Sequence, residues 1–164
     1  TPDYLISAAV SLILAQRLAR KTCTECRVPD PDITPKALAE FLEPLSEAGI
    51  DIFHCSTRRF WEAEFEDSDL NLAGWTKKIT GKPAITVGSV GLSEEFIPKP
   101  GETKFRAAEP ASLENLVERM EMDEFDLAAV GRALIANPDW ADLIKSDNLD
   151  KIRSFNNEML STLF

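Results

Sequence analysis

Apolar runs that alternate with helical stripes predict an α/β protein with a small parallel sheet. Three short runs are too apolar for an antiparallel sheet with one solvated face, and each is reached from a helical stripe by a short turn. We expect these runs to form strands at 50–55, 84–88 and 126–130. The sequence therefore predicts about three parallel strands with flanking helices.

The helix before the first strand has clear start and stop signals. Thr34 followed by Pro35 is typical of a helix start, and an apolar stripe then runs to a stop near Gly49. Pro44 lies within the stripe and is expected to kink the helix because it lacks an N–H donor.

Three further helices are predicted from periodicity and capping. Residues 4–21 have a broad apolar surface and a basic C-terminal end. Ser112 is expected to cap a helix that runs to Met120, and a closing helix is expected from Pro138. Acidic residues before the third strand resemble a solvated helix end; they are Asp123, Glu124 and Asp126.

Composition narrows the class of protein. The chain has 164 residues, of which 44% are hydrophobic and 28% charged, as in one soluble domain. The net charge of -10 argues against a nucleic-acid partner, which would require clustered Lys and Arg. The longest apolar stretch, LISAAVSLILA, is too short to span a bilayer and has no secretory cleavage pattern. We expect a cytoplasmic protein without a membrane or nucleic-acid partner.

The cysteines do not predict a disulfide framework. Cys23 and Cys26 form a CxxC, and Cys55 is left over. A tetrahedral zinc site needs four ligands, and no second CxxC follows, so we expect reduced, metal-free thiols. His54 and Cys55 end the first predicted strand, where they either face a ligand or contribute to packing.

Two glycine turns follow predicted strands and have the chemistry of a phosphate site. Gly88, Ser89 and Gly91 follow the second strand, and Gly131 and Arg132 follow the third. Glycines let backbone N–H groups approach an anion, and the planar guanidinium can donate two hydrogen bonds to it. The alternative is that these are tight turns at strand ends, with a solvated arginine.

A basic and aromatic cluster follows the first predicted strand. Arg58, Arg59 and Trp61 can hold an anionic or planar substrate. They can instead pair with the acidic run that follows, which comprises Glu62, Glu64, Glu66 and Asp67.

From about residue 34 to the C-terminus the chain resembles the last part of an Old Yellow Enzyme family protein. The resemblance is carried by AGIDIFHCSTRRFWEAEFEDSDLNLAGWTKKITGKPAITVGSVGL and by EFDLAAVGRALIANPDWADLI. These proteins are FMN-dependent oxidoreductases with a (β/α)8 barrel fold. The resemblance implies that 34–164 is a partial barrel that includes the last three strands. It also implies that the two glycine turns hold the FMN phosphate.

The same resemblance implies an activity and partners. Proteins of this family transfer hydride from NAD(P)H to the flavin and then to an enone-type substrate. The family's early strands, its substrate-gripping pair and its proton-donating tyrosine have no counterpart here, so the catalytic residues are left unassigned. Three alternatives are open for the remaining strands of such a barrel. A second copy of the chain supplies them, another polypeptide supplies them, or no chain supplies them.

Residues 4–28 resemble the C-terminal domain of type II secretion and type IV pilus assembly ATPases, through ISAAVSLILAQRLARKTCTEC. The chain has no G-x-x-x-x-G-K-[ST] stretch, so ATPase activity does not follow. The two resemblances predict a chimera with an N-terminal part at 1–33. The alternatives to an oxidoreductase are a non-catalytic folding or assembly unit and a fragment of such an ATPase.

Overall fold

A computed structural model describes residues 34–94 and 107–162. The helix predicted at 4–21 and the CxxC of Cys23 and Cys26 lie outside the described residues. So does the rest of the N-terminal part at 1–33.

The described residues contain a parallel sheet of three strands, β1 (Phe53–Ser56), β2 (Ala84–Val87) and β3 (Leu127–Ala128), in the order β1-β2-β3. The predicted α/β class with a small parallel sheet is therefore confirmed. The strands are shorter than expected, and β3 has two residues. Its ladder extends one residue each way, because the N–H groups of Asp126 and Ala129 donate to carbonyl oxygens of β2.

The described part of the chain also contains five α-helices, and two short 3-10 helices follow them. The α-helices are α1 (Pro35–Glu47), α2 (Leu72–Thr80), α3 (Glu114–Glu121), α4 (Arg132–Ala136) and α5 (Trp140–Lys145). The 3-10 helices span Leu149–Lys151 and Asn157–Thr162. None of the helices in the two described ranges has the length and apolarity needed to cross a bilayer.

The start of α1 is as predicted. The side chain of Thr34 accepts a hydrogen bond from the Ala37 N–H at 3.2 Å, and Pro35 is the first helical residue. The helix continues through Pro44 and ends at Glu47. The local capping signal was sufficient to locate this element.

The helix predicted from Ser112 to Met120 is present as α3, which begins at Glu114 and ends at Glu121. Leu113 occupies the cap position and makes no side-chain hydrogen bond. The Ser112 hydroxyl accepts the Glu114 N–H at 3.1 Å. Ser112 therefore satisfies one of the free N–H groups of the first turn, although it lies one residue before the cap position.

The closing helix predicted from Pro138 is present as α5, which begins at Trp140, and α4 precedes it as a separate short helix. Asn137 separates them in an extended conformation, which is the preference of a residue that precedes proline. The Asn137 side chain fixes this break: its Oδ1 accepts the Arg153 N–H at 2.8 Å and its amide donates to the Arg153 carbonyl at 3.0 Å.

The sheet has one face covered by a helix and one open face. Phe53, Cys55 and Thr86 are buried on the covered face, which α2 contacts. On the other face, His54, Ile85 and Leu127 lie side by side in register. His54 is exposed, Ile85 is half-buried and Leu127 is 51% exposed. A substantial apolar surface of the sheet is thus solvent-accessible.

Of the three acidic residues expected at a solvated helix end, Asp123 and Asp126 are exposed and Glu124 is buried. Glu124 is 7% exposed, and its Oε1 accepts the Asn71 N–H at 2.9 Å. Both of its carboxylate oxygens also accept from Arg119 Nη1, at 2.8 and 2.9 Å. The prediction fails at Glu124 because the chain reverses at Asp123, whose φ is 60°. Asp123 and Asp126 accept hydrogen bonds from Lys77.

Candidate functional site

A cavity of about 440 Å³ lies at the carboxyl ends of the three strands. In parallel α/β sheets, this edge is where the loops that follow the strands meet. Residues that follow each strand line it: Thr57 and Arg58 after β1, Gly88 and Ser89 after β2, and Gly131 and Arg132 after β3. The apolar side chains of Ile135 and Leu160 complete its wall.

The structure brings four of the five predicted phosphate-site residues to this cavity and leaves one outside. The four are Gly88, Ser89, Gly131 and Arg132. Gly91 lies instead against Trp140, where an added Cβ would be 3.1 Å from the ring carbon Cζ2. Its φ of +69° gives a second reason for glycine at this position.

Gly88 allows the loop after β1 to pack onto the end of β2. A Cβ at this residue would lie 2.7 Å from Thr57 Oγ1 and 2.9 Å from the Thr57 carbonyl oxygen. The Thr57 hydroxyl donates to the Val87 carbonyl at 2.9 Å, and the Gly88 carbonyl accepts the Phe60 N–H at 3.0 Å. The loops after β1 and β2 are therefore held together by hydrogen bonds to backbone carbonyl groups and by the close approach that Gly88 allows.

Several backbone donors at the cavity have no acceptor in the described part of the chain. Within the described ranges, the N–H groups of Gly88, Ser89 and Gly131 donate to no protein acceptor. Unused N–H groups at a strand-end cavity are the donors that a bound anion requires. The arrangement can therefore bind an anion through the backbone.

Arg132 contributes the positive charge of the cavity. Its Nη2 donates to the Glu94 carbonyl at 2.5 Å and lies 3.4 Å from Ser89 Oγ, while its guanidinium carbon is 5.6 Å from the Phe155 ring centre. Burial lowers the pKa of Arg132 from its ordinary value, and the nearby Glu94 carboxylate acts in the opposite direction. The guanidinium stays charged at neutral pH, because arginine keeps its proton in proteins.

Ser89 holds the second loop in an unusual conformation beside this charge. Its φ is 52°, in the left-handed region, and its hydroxyl lies 3.1 Å from the carbonyl oxygens of both Arg58 and Glu94. The hydroxyl thus links the loops after β1 and β2 at the mouth of the cavity. We infer that Ser89 positions the backbone donors around it.

The residues that end β1 separate into two environments. Cys55 is buried under α2, where its thiol donates to Thr76 Oγ1 at 3.4 Å and burial raises its pKa. Its location supports the packing interpretation of Cys55. His54 points to the open face of the sheet and does not line the cavity. Cys23 and Cys26 are outside the described residues, so the expectation of reduced, metal-free thiols remains a prediction.

The basic and aromatic cluster after β1 is divided between two roles. Arg59 forms an ion pair with Glu62, which agrees with the pairing alternative. Arg58 lines the cavity and is the second cationic side chain there. The Trp61 ring packs edge-to-face on Phe60, and its carbonyl accepts Arg119 Nη2 at 3.0 Å.

Sequence reasoning did not assign Thr57 or Leu160 to the site, and it named Arg58 as a candidate for holding an anionic or planar substrate rather than as part of the phosphate site. Thr57 and Arg58 directly follow the first predicted strand, so the rule that ligands lie at carboxyl ends of strands would have identified them. No local signal marks Leu160, since it reaches the cavity from a 3-10 helix near the end of the chain.

The sequence matches no protein-family model and no curated protein. The functional proposal is therefore based on the geometry of the cavity and on the resemblance of the sequence motifs.

Proposed function

We propose that the cavity at the carboxyl ends of β1, β2 and β3 binds the phosphate of FMN. In this proposal, residues 34–164 are the last βα units of a flavin oxidoreductase barrel of the Old Yellow Enzyme type. The main observation in support is that loops from three adjacent parallel strands converge on one cavity with four of the five predicted phosphate-site residues.

The donor set matches a phosphate better than a neutral ligand. A phosphate dianion presents several acceptor oxygens, and Gly88, Ser89 and Gly131 offer backbone N–H groups that no described residue accepts. Arg132 adds charge-assisted hydrogen bonds, which are worth about 1.5 to 3 kcal/mol each.

The sheet supports a barrel origin for this segment. In a (β/α)8 barrel the strands are parallel and follow the order of the chain, helices cover the outside, and alternate side chains point into the barrel. The order β1-β2-β3, the cover by α2 and the open face of His54, Ile85 and Leu127 agree with that arrangement. The open face would then correspond to the barrel interior.

The chemistry belongs to the cofactor when it is bound. FMN would accept hydride from NAD(P)H and deliver it to an enone-type substrate. The described residues would hold the phosphate end and so orient the rest of the cofactor. The proposal places the protein in the cytoplasm, where NAD(P)H is available.

A calorimetric titration with FMN and riboflavin tests the phosphate site, because riboflavin lacks the phosphate. FMN should bind more tightly than riboflavin, and Arg132→Ala should remove about one to two orders of magnitude of that advantage. The control is Lys36→Ala, which removes one positive charge from the exposed surface of α1. Equal affinities for the two ligands, or equal effects of the two substitutions, would contradict the proposal.

The open face of the sheet favours a second candidate, a non-catalytic folding or assembly unit. An apolar sheet face with Leu127 51% exposed is more typical of an interface than of a solvated surface. Yellow colour and a flavin absorbance band after purification would support the oxidoreductase. Colourless protein that assembles equally with and without added FMN would support the assembly unit.

A further inference from the structure

A second surface feature lies away from the proposed phosphate site. It is a groove of about 620 Å³ between α3 on one side and α5 with the following 3-10 helix on the other. Its apolar lining includes Val117, Trp140, Ile144, Leu149 and Ile152. Val117 is 48% exposed and Leu149 is 53% exposed, so the groove is open to solvent. The groove and the 440 Å³ cavity share no lining residue.

Three carboxylates stand at the edges of this groove. Glu114 and Glu118 are one turn apart on α3, and Asp147 follows α5. Among the described residues, none of these three forms an ion pair, and no lysine or arginine lines the groove. By contrast, Glu124 and Asp126 each pair with a basic side chain. The groove therefore has an apolar floor and an uncompensated negative rim.

We propose that this groove binds an amphipathic helix of a partner protein, with apolar side chains on the floor and Lys or Arg against the rim. Helices commonly bind in apolar grooves through residues at i, i+3, i+4 and i+7. Charge complementarity selects the partner: an acidic or neutral helix would leave three carboxylates unmatched, and an anionic lipid surface would be repelled. This inference does not depend on the proposed FMN site.

The groove contains a well-packed aromatic residue and exposed apolar side chains, which are features of protein interfaces. Trp140 is a large aromatic residue at the floor, 9% exposed and packed against Gly91, so it is rigidly placed. Aromatic residues in well-packed depressions are typical of interface hot spots. Val117 and Leu149 lie on opposite walls and would bury their exposed surface against the incoming helix.

The test uses a synthetic 14-residue peptide of leucine and lysine, with leucines at i, i+3, i+4 and i+7. Its matched control has glutamate in place of lysine. We expect the lysine peptide to bind the full chain measurably, with affinity that falls as salt is raised, and the glutamate peptide to bind at least about tenfold more weakly. Fluorescence anisotropy of labelled peptides gives both affinities.

Protein variants test whether the peptide binds to the groove or is attracted only by the net negative charge of the chain. Glu114→Gln with Glu118→Gln should weaken binding about three- to tenfold, whereas Glu121→Gln with Glu43→Gln should change it less than about twofold. Glu121 is also on α3, but neither Glu121 nor Glu43 lines the groove. Val117→Asp should weaken binding about tenfold or more, and Met122→Asp, at an exposed residue outside the groove, should not.

Three outcomes would overturn the proposal. The first is that both glutamine pairs weaken binding equally, which would assign it to net charge. The second is that Val117→Asp, folded by circular dichroism, binds as tightly as wild type. The third is a dimer of the unliganded protein that Val117→Asp alone converts to monomer, which would assign the groove to a second copy of the chain.

Discussion

Gly74 lies inside α2 and has no room for a side chain. An added Cβ would be 2.6 Å from Glu124 Cγ and 3.2 Å from Leu70 Cδ2. Glu124 cannot move aside freely, because Arg119 and the Asn71 N–H hold its carboxylate. We therefore expect Gly74→Ala to lower the free energy of unfolding by about 1 to 3 kcal/mol, measured by urea denaturation.

A double-mutant cycle distinguishes this clash from other effects of alanine. In a Glu124→Ala background the obstructing Cγ is gone, so Gly74→Ala should cost little or should stabilise α2, since alanine is a better helix former by about 1 kcal/mol. If Gly74→Ala lowers stability equally in both backgrounds, the close approach to Glu124 is not the cause.

The carboxylate of Glu94 is expected to weaken anion binding at the proposed phosphate site. Its carboxylate lies close enough to Arg132 to favour the charged guanidinium, so it competes with a bound phosphate for that charge. We expect Glu94→Gln to raise the affinity for FMN about two- to fivefold at low salt and less at high salt. Riboflavin affinity serves as the control, and an equal gain for riboflavin would refute the electrostatic explanation.

At the scale of elements, Asp126 connects the start of β3 to β2 and α2. Its Oδ2 accepts the Ala84 N–H at 2.9 Å, and its Oδ1 accepts Lys77 Nζ at 3.0 Å. The hydrogen bond from the Ala84 N–H is the main cause that lowers the pKa of Asp126, with Lys77 adding to it. The carboxylate form is thus favoured in the folded protein.

The lowered pKa predicts a pH dependence of stability. Because the folded pKa is below the unfolded value of about 3.9, the stabilisation is fully present above about pH 4 and is lost as pH falls through the folded pKa. We expect Asp126→Asn to be less stable than wild type at pH 6 and the difference to shrink toward pH 2. Urea denaturation from pH 2 to 6 measures this.

Asp67→Asn is the matched control, since Asp67 is exposed. Its difference from wild type should stay small and show no comparable loss at low pH. A gap between Asp126→Asn and wild type that is constant from pH 2 to 6 would show that the carboxylate's charge is not the source of the stabilisation.

Elements with local signals were predictable, and elements set by distant contacts were not. The start of α1 depends on Thr34 and Pro35, which are adjacent to it, so the sequence was sufficient. The break between α4 and α5 has a local cause, since Asn137 precedes Pro138, and a distant one, since Asn137 also bonds Arg153, 16 residues along the chain. Periodicity within a window cannot detect such a contact.

The residues of the candidate site also divide into those marked by local sequence and those placed by distant contacts. Gly88, Ser89, Gly131 and Arg132 were predicted to lie together because each turn directly follows an apolar run, and all four line the cavity. The burial of Glu124 was missed because its partner Asn71 is 53 residues away and nothing adjacent marks it. Gly91 was grouped with the phosphate site because its neighbours are there, whereas its contact with Trp140 is a tertiary feature.

At the scale of the whole molecule, the three-stranded sheet has more apolar surface than its described helices cover. β1 and β3 are both edge strands in the described sheet, and unpaired edges beside an apolar face favour association. In the proposed barrel, this face and these edges would contact the other strands of the barrel. A second copy of the chain is one source of such a partner.

Leu127 is the central test of this association, because it is 51% exposed and lies in register with Ile85 and His54 on the open face. We expect sedimentation velocity of wild type to show a dimer or larger species. Leu127→Lys should weaken this association about tenfold or more, since burying a leucine contributes roughly 1.5 to 3 kcal/mol. Met122→Lys makes the same change at an exposed residue after α3 and should leave the mass unchanged. Wild type that remains monomeric at every concentration, or equal effects of the two lysines, would exclude this face as the interface between copies.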